Sequence, residues 1–398
     1  MRVGGPADRL LVARTRDELI AHATELWRID EPWLLLGGGS NTVVSDEGFP
    51  GTVLLVRTSG IEAVDDPALL PGTLRLRVQA GHDWDALVAE CVERGLVGLE
   101  ALSGIPGLAG AAPVQNIGAY GAELSDVLHS IEFLDAGTGE AITMTAAELE
   151  LGYRDSVIKQ GLEGVVLSVD LVLVDGGQGA PGAPVGRRRG RHGADEAGGA
   201  GAGADRTGAE AGALSAPIAY AQLAKALGVE LGARVPVADV RREVLRLRAS
   251  KGMVLDADDH DTWSSGSFFT NPIVSSGFAR TLPEDAPRFP IDDVEPAAAV
   301  TTFEELAAGQ PLRVPEAARE TRVKLSAAWL IERAGVPRGF RLPGSGAAIS
   351  SKHTLALTNR GGATAAQVAE LGRFVVQRVQ QEFGVVLVPE PNLYGLEL

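Results

Sequence analysis

One cysteine, Cys91, stands among 398 residues, so no disulfide can form within the chain. No apolar run reaches the roughly 18 residues that a membrane-spanning helix requires. The opening MRVGGPADRL lacks the apolar core of a signal peptide, and a cytoplasmic protein is the expectation. Lysine is scarce, 5 of the 36 basic residues, and the formal net charge is −16. A field of that sign opposes nucleic acid and anionic membrane faces, so neither is an expected partner and an anionic ligand must be held by local devices. The six histidines show neither HExxH nor paired spacing, so no metal site is expected. No internal repeat is visible.

The 45% of hydrophobic residues suffices for two or three domains. Residues 176–216 are almost all Gly, Ala, Pro, Asp, Glu and Arg, without a period that could bury a face, and they read as a disordered insertion. The basic run GRRRGRHG (186–193) belongs to it. PWLLLGGGSN is a buried strand running into a glycine turn, and GTVLLVRT is a second strand. No helix follows those glycines, which argues against an ordinary dinucleotide-binding βαβ unit. In TLRLRVQAG the alternation of Leu74, Leu76 and Val78 with Arg75, Arg77 and Gln79 predicts a half-exposed strand. A helix over 83–94 buries Trp84, Leu87, Val88, Cys91 and Val92.

Further on, SIEFLDAGTGEAITM predicts a hairpin turning at 137–139, and GVVLSVDLVLV a strand. Helices are expected from a cap near Asp239, around 326–334, and from about Thr364 to Phe383, with VVLVPEP closing the chain as a strand. The class is α+β, without a repeating βαβ signature.

Two loops carry the chemical interest. GGGSN, from Gly37 through Gly38, Gly39 and Ser40 to Asn41, offers unobstructed backbone N–H groups that could cradle a pyrophosphate, or simply turn a hairpin. The uncharged LSGIPGLAGAAPVQNIGAYG (102–121) lets main chain approach a flat, partly apolar ligand, with Gln115, Asn116 and Tyr120 as hydrogen-bonding groups; a buried structural loop is the plainer alternative. Together they suit one cofactor with a pyrophosphate and an aromatic ring system.

These loops, with GYRDSVIK, RASKG, GSFFTNP, AAWLIERAG and VPEP in the same order, resemble the UDP-N-acetylenolpyruvoylglucosamine reductases. The resemblance covers everything except the insertion. It implies an FAD-binding fold of the vanillyl-alcohol oxidase type in two subdomains, 1–58 (completed by 384–398) and 59–250, plus a separate α+β substrate-binding domain, 251–383. It implies noncovalent FAD, NADPH as co-substrate, a UDP-sugar substrate and a monomer. The flavin contacts it implies are Gly37, Gly38, Gly39, Ser40, Asn41, Gly104, Ile105, Pro106, Gly107, Gln115, Asn116, Gly118, Ala119, Tyr120 and Arg248. Substrate contacts fall to Tyr153, Tyr220, Lys251 and Asn271.

Reduction of an enol ether needs a cation, a proton donor and an acid that completes the site. The resemblance assigns these to Arg154, Ser267 and Glu390. No G-x-S-x-G elbow is present, so Ser267 is not read as a nucleophile. Alternation would set Ser267, Phe269 and Asn271 on one face and leave Phe268 to pack behind. His353 reads as a loop histidine. The family pattern is broken at Thr270, where many members carry lysine, and at Asn392, where a basic residue is common. Members also begin several residues earlier than Met1, so the start is misassigned or a flank of the flavin site is lost. The rival readings are an FAD-dependent alcohol or sugar oxidase of the same fold and a flavin-binding protein without turnover.

Overall fold

The computed structural model describes residues 1–29, 31–176, 212–291 and 322–398. Most of the expected insertion, 177–211, lies outside them. Its expected edges do not: Gly176 donates its N–H to Gly95, Ser215 is fully buried, and Ala216 donates to the buried Glu100 carboxylate. Those edges are folded because their backbone N–H groups find acceptors in Gly95, Val235 and Glu100.

Near the N-terminus, strands Ala7–Ala13, Phe49–Val56 and Trp33–Leu36 form a small parallel sheet with Phe49–Val56 in the middle. Helix Arg16–Arg28 starts where the Thr15 hydroxyl accepts from the Glu18 N–H, and Leu19, Ala23 and Leu26 bury one face. The second sheet is antiparallel. Its central strand Gly164–Asp175 lies between Leu128–Asp135 and Thr73–Gln79. One hydrophobic core runs through both sheets and takes in helix Trp84–Glu93, which Asp83 caps.

The polar face of Thr73–Gln79 is not simply solvated, as its alternation predicts. Arg75 and Arg77 both donate to Asp170, which is 2% exposed, at 2.5–2.9 Å. The long central strand brings that carboxylate opposite them, and the three side chains cover one another.

After the second sheet, helix Val237–Ser250 begins at Pro236 without a side-chain cap; Asp239 sits in its first turn and pairs with Arg242. The expected cap there is thus incorrect. The last unit has its own core of Phe268, Phe269, Leu330, Val368, Val375 and their neighbours. Its long helix Ala365–Phe383 opens on a capping box of Thr364 and Gln367 and closes at Gly384 (φ 68°). Asp46, from the loop before Phe49–Val56, accepts from the N–H groups of Ala365 and Ala366 at 2.7 and 2.9 Å, joining a carboxylate to that helix's positive end.

Two expectations fail in this unit. VVLVPEP is extended but is not a regular strand, because Pro389 and Pro391 remove ladder donors. The paired strand comes just after it, Asn392–Tyr394, parallel to Thr42–Val44. Phe269 is 1% exposed and packs against Phe268 at a ring separation of 5.1 Å, so it does not share an open face with Ser267. The gain from burying both rings outweighs simple alternation.

Candidate active site

The two glycine loops abut. Ser40 donates its hydroxyl to the Pro106 carbonyl at 3.2 Å, and a Cβ at Gly38 would stand 3.3 Å from the Gly107 Cα. Gly39 (φ 66°) and Gly107 (φ 124°) hold conformations that side chains resist. The N–H groups of Gly38, Gly39 and Ser40 have no acceptor among the described residues, so they are free to receive one. Across from them, the Gly104 N–H donates to Asp85 at 2.6 Å and the Gly104 carbonyl accepts from Arg248 Nε at 3.1 Å. Arg248 is 9% exposed and its terminal nitrogens find no acceptor among the described residues. A buried guanidinium half satisfied by a neutral carbonyl is costly without a further acceptor. Free backbone donors, a close loop approach and that cation fit a pyrophosphate-bearing flavin. Ile105 is partly buried against the first core.

Residues Gly118 to Glu123 form a tight hairpin. Its central pair, Tyr120 (φ 51°) and Gly121 (φ 83°), has the two positive angles of a type I′ turn. Tyr120 meets Tyr220 edge-on at 5.8 Å, and Lys251 Nζ lies 5.9 Å from the Tyr120 ring centre. Lys251 donates to Gln222 at 3.1 Å, and burial, then Arg248, lowers its ammonium below the usual lysine range. Tyr220, Lys251 and Tyr120 are therefore brought together, as the substrate and flavin assignments require.

Arg154 stands at the centre of the constellation, in the left-handed region (φ 54°). Its fork donates to the carbonyls of Asn116 at 3.1 Å and Gly118 at 2.6 Å, and its Nε lies 3.8 Å from Glu390. The strained backbone is held by Lys159, whose ammonium donates to the Arg154 carbonyl at 2.7 Å. Gly118 is a glycine for a local reason: a Cβ there would lie 2.9 Å from Glu123 Cγ, 3.0 Å from the Ala122 carbonyl oxygen and 3.2 Å from Arg154 Nη1. Ala119 continues the hairpin. Burial raises the Glu390 carboxyl above the usual range, with Arg154 and then Lys159 drawing it back.

Ser267 reaches this group through main chain, since the Glu390 N–H donates to the carbonyl of the next residue, Phe268, at 2.9 Å. Its hydroxyl is 3.5 Å from His353 Nε2. Thr270, the departure from the family lysine, uses its N–H to bind the Val388 carbonyl at 3.1 Å, and Asn392 uses its N–H on the Asn41 carbonyl at 3.0 Å. Both fasten the VPEP segment to the site.

Two assignments change. Asn116 is 1% exposed and its amide is spent on Glu123, Gly152 and Ser125, so its side chain braces the loop instead of facing a cofactor. The Asn271 carbonyl oxygen accepts from the Ala327 N–H at 2.9 Å, and its side chain also meets Tyr153; it anchors a helix start as well as lining the site. Gln115 has no side-chain hydrogen bond among the described residues.

Sequence reasoning passed over Lys324, whose ammonium lies 4.6 Å from the Tyr153 ring and is lowered by burial. A usable signal was present: in a chain with 5 lysines, Lys159, Lys251 and Lys324 all come to this region, where a compact charge serves better than a fork.

A small parallel sheet joined to an antiparallel one through a shared core, with two abutting glycine loops and a further unit that has its own core, defines an FAD-binding protein of the vanillyl-alcohol oxidase type with an added α+β domain. Residues 7–145 match the family model described as FAD binding domain. Residues 258–394 match that of the UDP-N-acetylenolpyruvoylglucosamine reductase C-terminal domain. The chain is 57% identical over 399 residues to the UDP-N-acetylenolpyruvoylglucosamine reductase of Leifsonia xyli, covering all of this chain and 97% of that protein. With the Saccharopolyspora erythraea protein of the same name it shares 45% over 401 residues, 100% and 93% of the two chains. A crystal structure of the Thermus caldophilus reductase has the same fold, with a TM-score of 0.54 at 24% identity over 98% of this chain and 94% of that one. The chain belongs to the UDP-N-acetylenolpyruvoylglucosamine reductase family, and its cofactor is FAD.

Proposed function

We propose that the protein reduces UDP-N-acetylglucosamine enolpyruvate to UDP-N-acetylmuramate with NADPH, in peptidoglycan precursor synthesis. The observation that carries this reading is the Arg154–Glu390 pair, 3.8 Å apart, with Ser267 next to the residue whose carbonyl binds the Glu390 N–H. FAD, which the Gly37–Asn41 and Gly104–Gly107 loops with Arg248 would hold, would supply to the methylene carbon of the enol ether the hydride that NADPH provides. Arg154 pairs with the enolpyruvyl carboxylate, where negative charge develops, in a site that burial has largely desolvated. Ser267 supplies the proton to the carbon beside that carboxylate, so one hydride and one proton add across the double bond. Glu390 holds Arg154 in place. Lys251 meets a diphosphate oxygen as a point charge and Tyr220 closes over it, while Tyr153 and Asn271 line the sugar side.

The units 1–58 with 384–398, 59–250 and 251–383 divide the work between flavin and substrate in this reading. The enzyme acts in the cytoplasm as a monomer; among the described residues no helix is long and apolar enough to cross a membrane. An alcohol oxidase would have no use for a proton donor beside an arginine–glutamate pair. The test is direct: purified protein should be yellow, NADPH should bleach it, and the enolpyruvyl sugar nucleotide should restore the colour without oxygen. Colour that NADPH bleaches but the substrate fails to restore would overturn the reading.

A further inference from the structure

We propose that His353 is a positioning residue for the proton donor: as a neutral imidazole it donates its Nε2–H to the Ser267 oxygen. The inference rests on the reading above. A serine hydroxyl is a weak acid, and giving its proton to carbon leaves an alkoxide that must be stabilised. Among the described residues the side-chain group within hydrogen-bonding reach of Ser267 Oγ is His353 Nε2, at 3.5 Å, long for a hydrogen bond but within the range that tightens when substrate is seated.

The direction of that contact decides what it does. If the ring nitrogen accepted, it would draw the serine proton away from substrate. If it donates, the Ser267 proton is free to point elsewhere, and the same N–H stabilises the alkoxide once the proton has gone. The surroundings keep the ring uncharged: burial first, then Lys251, Arg338 and Arg248, hold its pKa at about 4. The loop that carries the ring is also braced, because the backbone N–H groups of His353 and Lys352 both donate to the Ser350 hydroxyl, at 3.3 and 3.1 Å. After transfer the Ser267 oxygen regains a proton from water, so His353 ends as it began.

The test compares wild type with His353→Leu and His353→Gln by rapid mixing, following each half of the cycle through flavin absorbance. At saturating enolpyruvyl substrate, His353→Leu should slow reoxidation at least about tenfold, while reduction by NADPH stays within about twofold. His353→Gln, whose amide can still donate, should recover most of the loss. An effect confined to half-saturation, with the limiting rate intact, would make His353 a substrate contact and overturn the proposal. Equal slowing of both half-reactions, or no rescue by glutamine, would also overturn it. If wild type itself is not reoxidised by the substrate, the functional reading fails instead. An independent readout needs no turnover: long-range proton–nitrogen NMR of the substrate-free protein should find His353 neutral at pH 7 and protonated at Nε2. A proton at Nδ1 alone, or a charged ring, would contradict the proposal.

Discussion

Asn41, in the first glycine loop, donates its side-chain amide to the main-chain carbonyl of Glu390 at 3.2 Å, across 349 positions of sequence. The Asn41 carbonyl in turn accepts from Asn392. The first glycine loop therefore also sets the height of the carboxylate that faces Arg154. Replacing Asn41 by Leu should cost about 1 kcal/mol in unfolding free energy. The loss in reduction rate should be larger than that cost explains, and denaturant melts alongside steady-state rates would compare the two.

In the proposed reduction Arg154 stabilises charge through a fork whose two terminal nitrogens are held by the Asn116 and Gly118 carbonyls. Lysine keeps the charge but not the fork. Arg154→Lys should lower kcat by about 10²-fold, in the range seen when a preorganised charge stabiliser is lost, and leave flavin binding intact. A loss under about threefold would remove Arg154 from the centre of the account.

Lys159 holds the left-handed Arg154 backbone by its carbonyl. Lys159→Met should reduce kcat by about tenfold, while glycine at 154 in the same background should gain nothing, since the guanidinium is then missing. A double-mutant comparison of kcat measures this coupling.

Asp170 concerns stability, not chemistry. Burial works against its ionised form, but hydrogen bonds from Arg77 and Arg75 prevail and hold its pKa below the usual aspartate value. A lowered folded-state value means that its contribution is complete above about pH 4 and is lost as pH falls through the folded value. Asp170→Ala should destabilise the protein by about 3 kcal/mol at pH 7 by leaving Arg77 without its carboxylate partner and Arg75 with Asp66 alone. That difference should shrink on acidification below pH 4, as urea melts across pH would record.

Much of this was readable in the sequence because local physics repeats it. Asp83, Ser326 and Thr364 cap the helices they precede, and Gly384 ends the last one. The two glycine loops pointed to a cofactor because together they expose backbone donors and uncharged main chain, which a hairpin turn or a structural loop explains only one at a time. What stayed hidden depends on partners far away in sequence. Asp170 opposite Arg75 and Arg77, Asn116 against Glu123, and Lys324 beneath Tyr153 each depend on which strand lies next to which. Phe269 was misjudged because alternation ignores how much a ring gains from a core. The contact of His353 with Ser267 stayed hidden because a histidine in a loop carries no sign of the serine it will meet 86 positions away.

The central claim is that Ser267 gives a proton to substrate carbon. Rapid mixing of Ser267→Ala tests it most directly. The account predicts flavin reduction by NADPH at the wild-type rate and oxidation by the enolpyruvyl substrate slowed about 10²–10⁴-fold, the worth of a positioned acid. Equal slowing of both half-reactions, or oxidation at the wild-type rate, would contradict it.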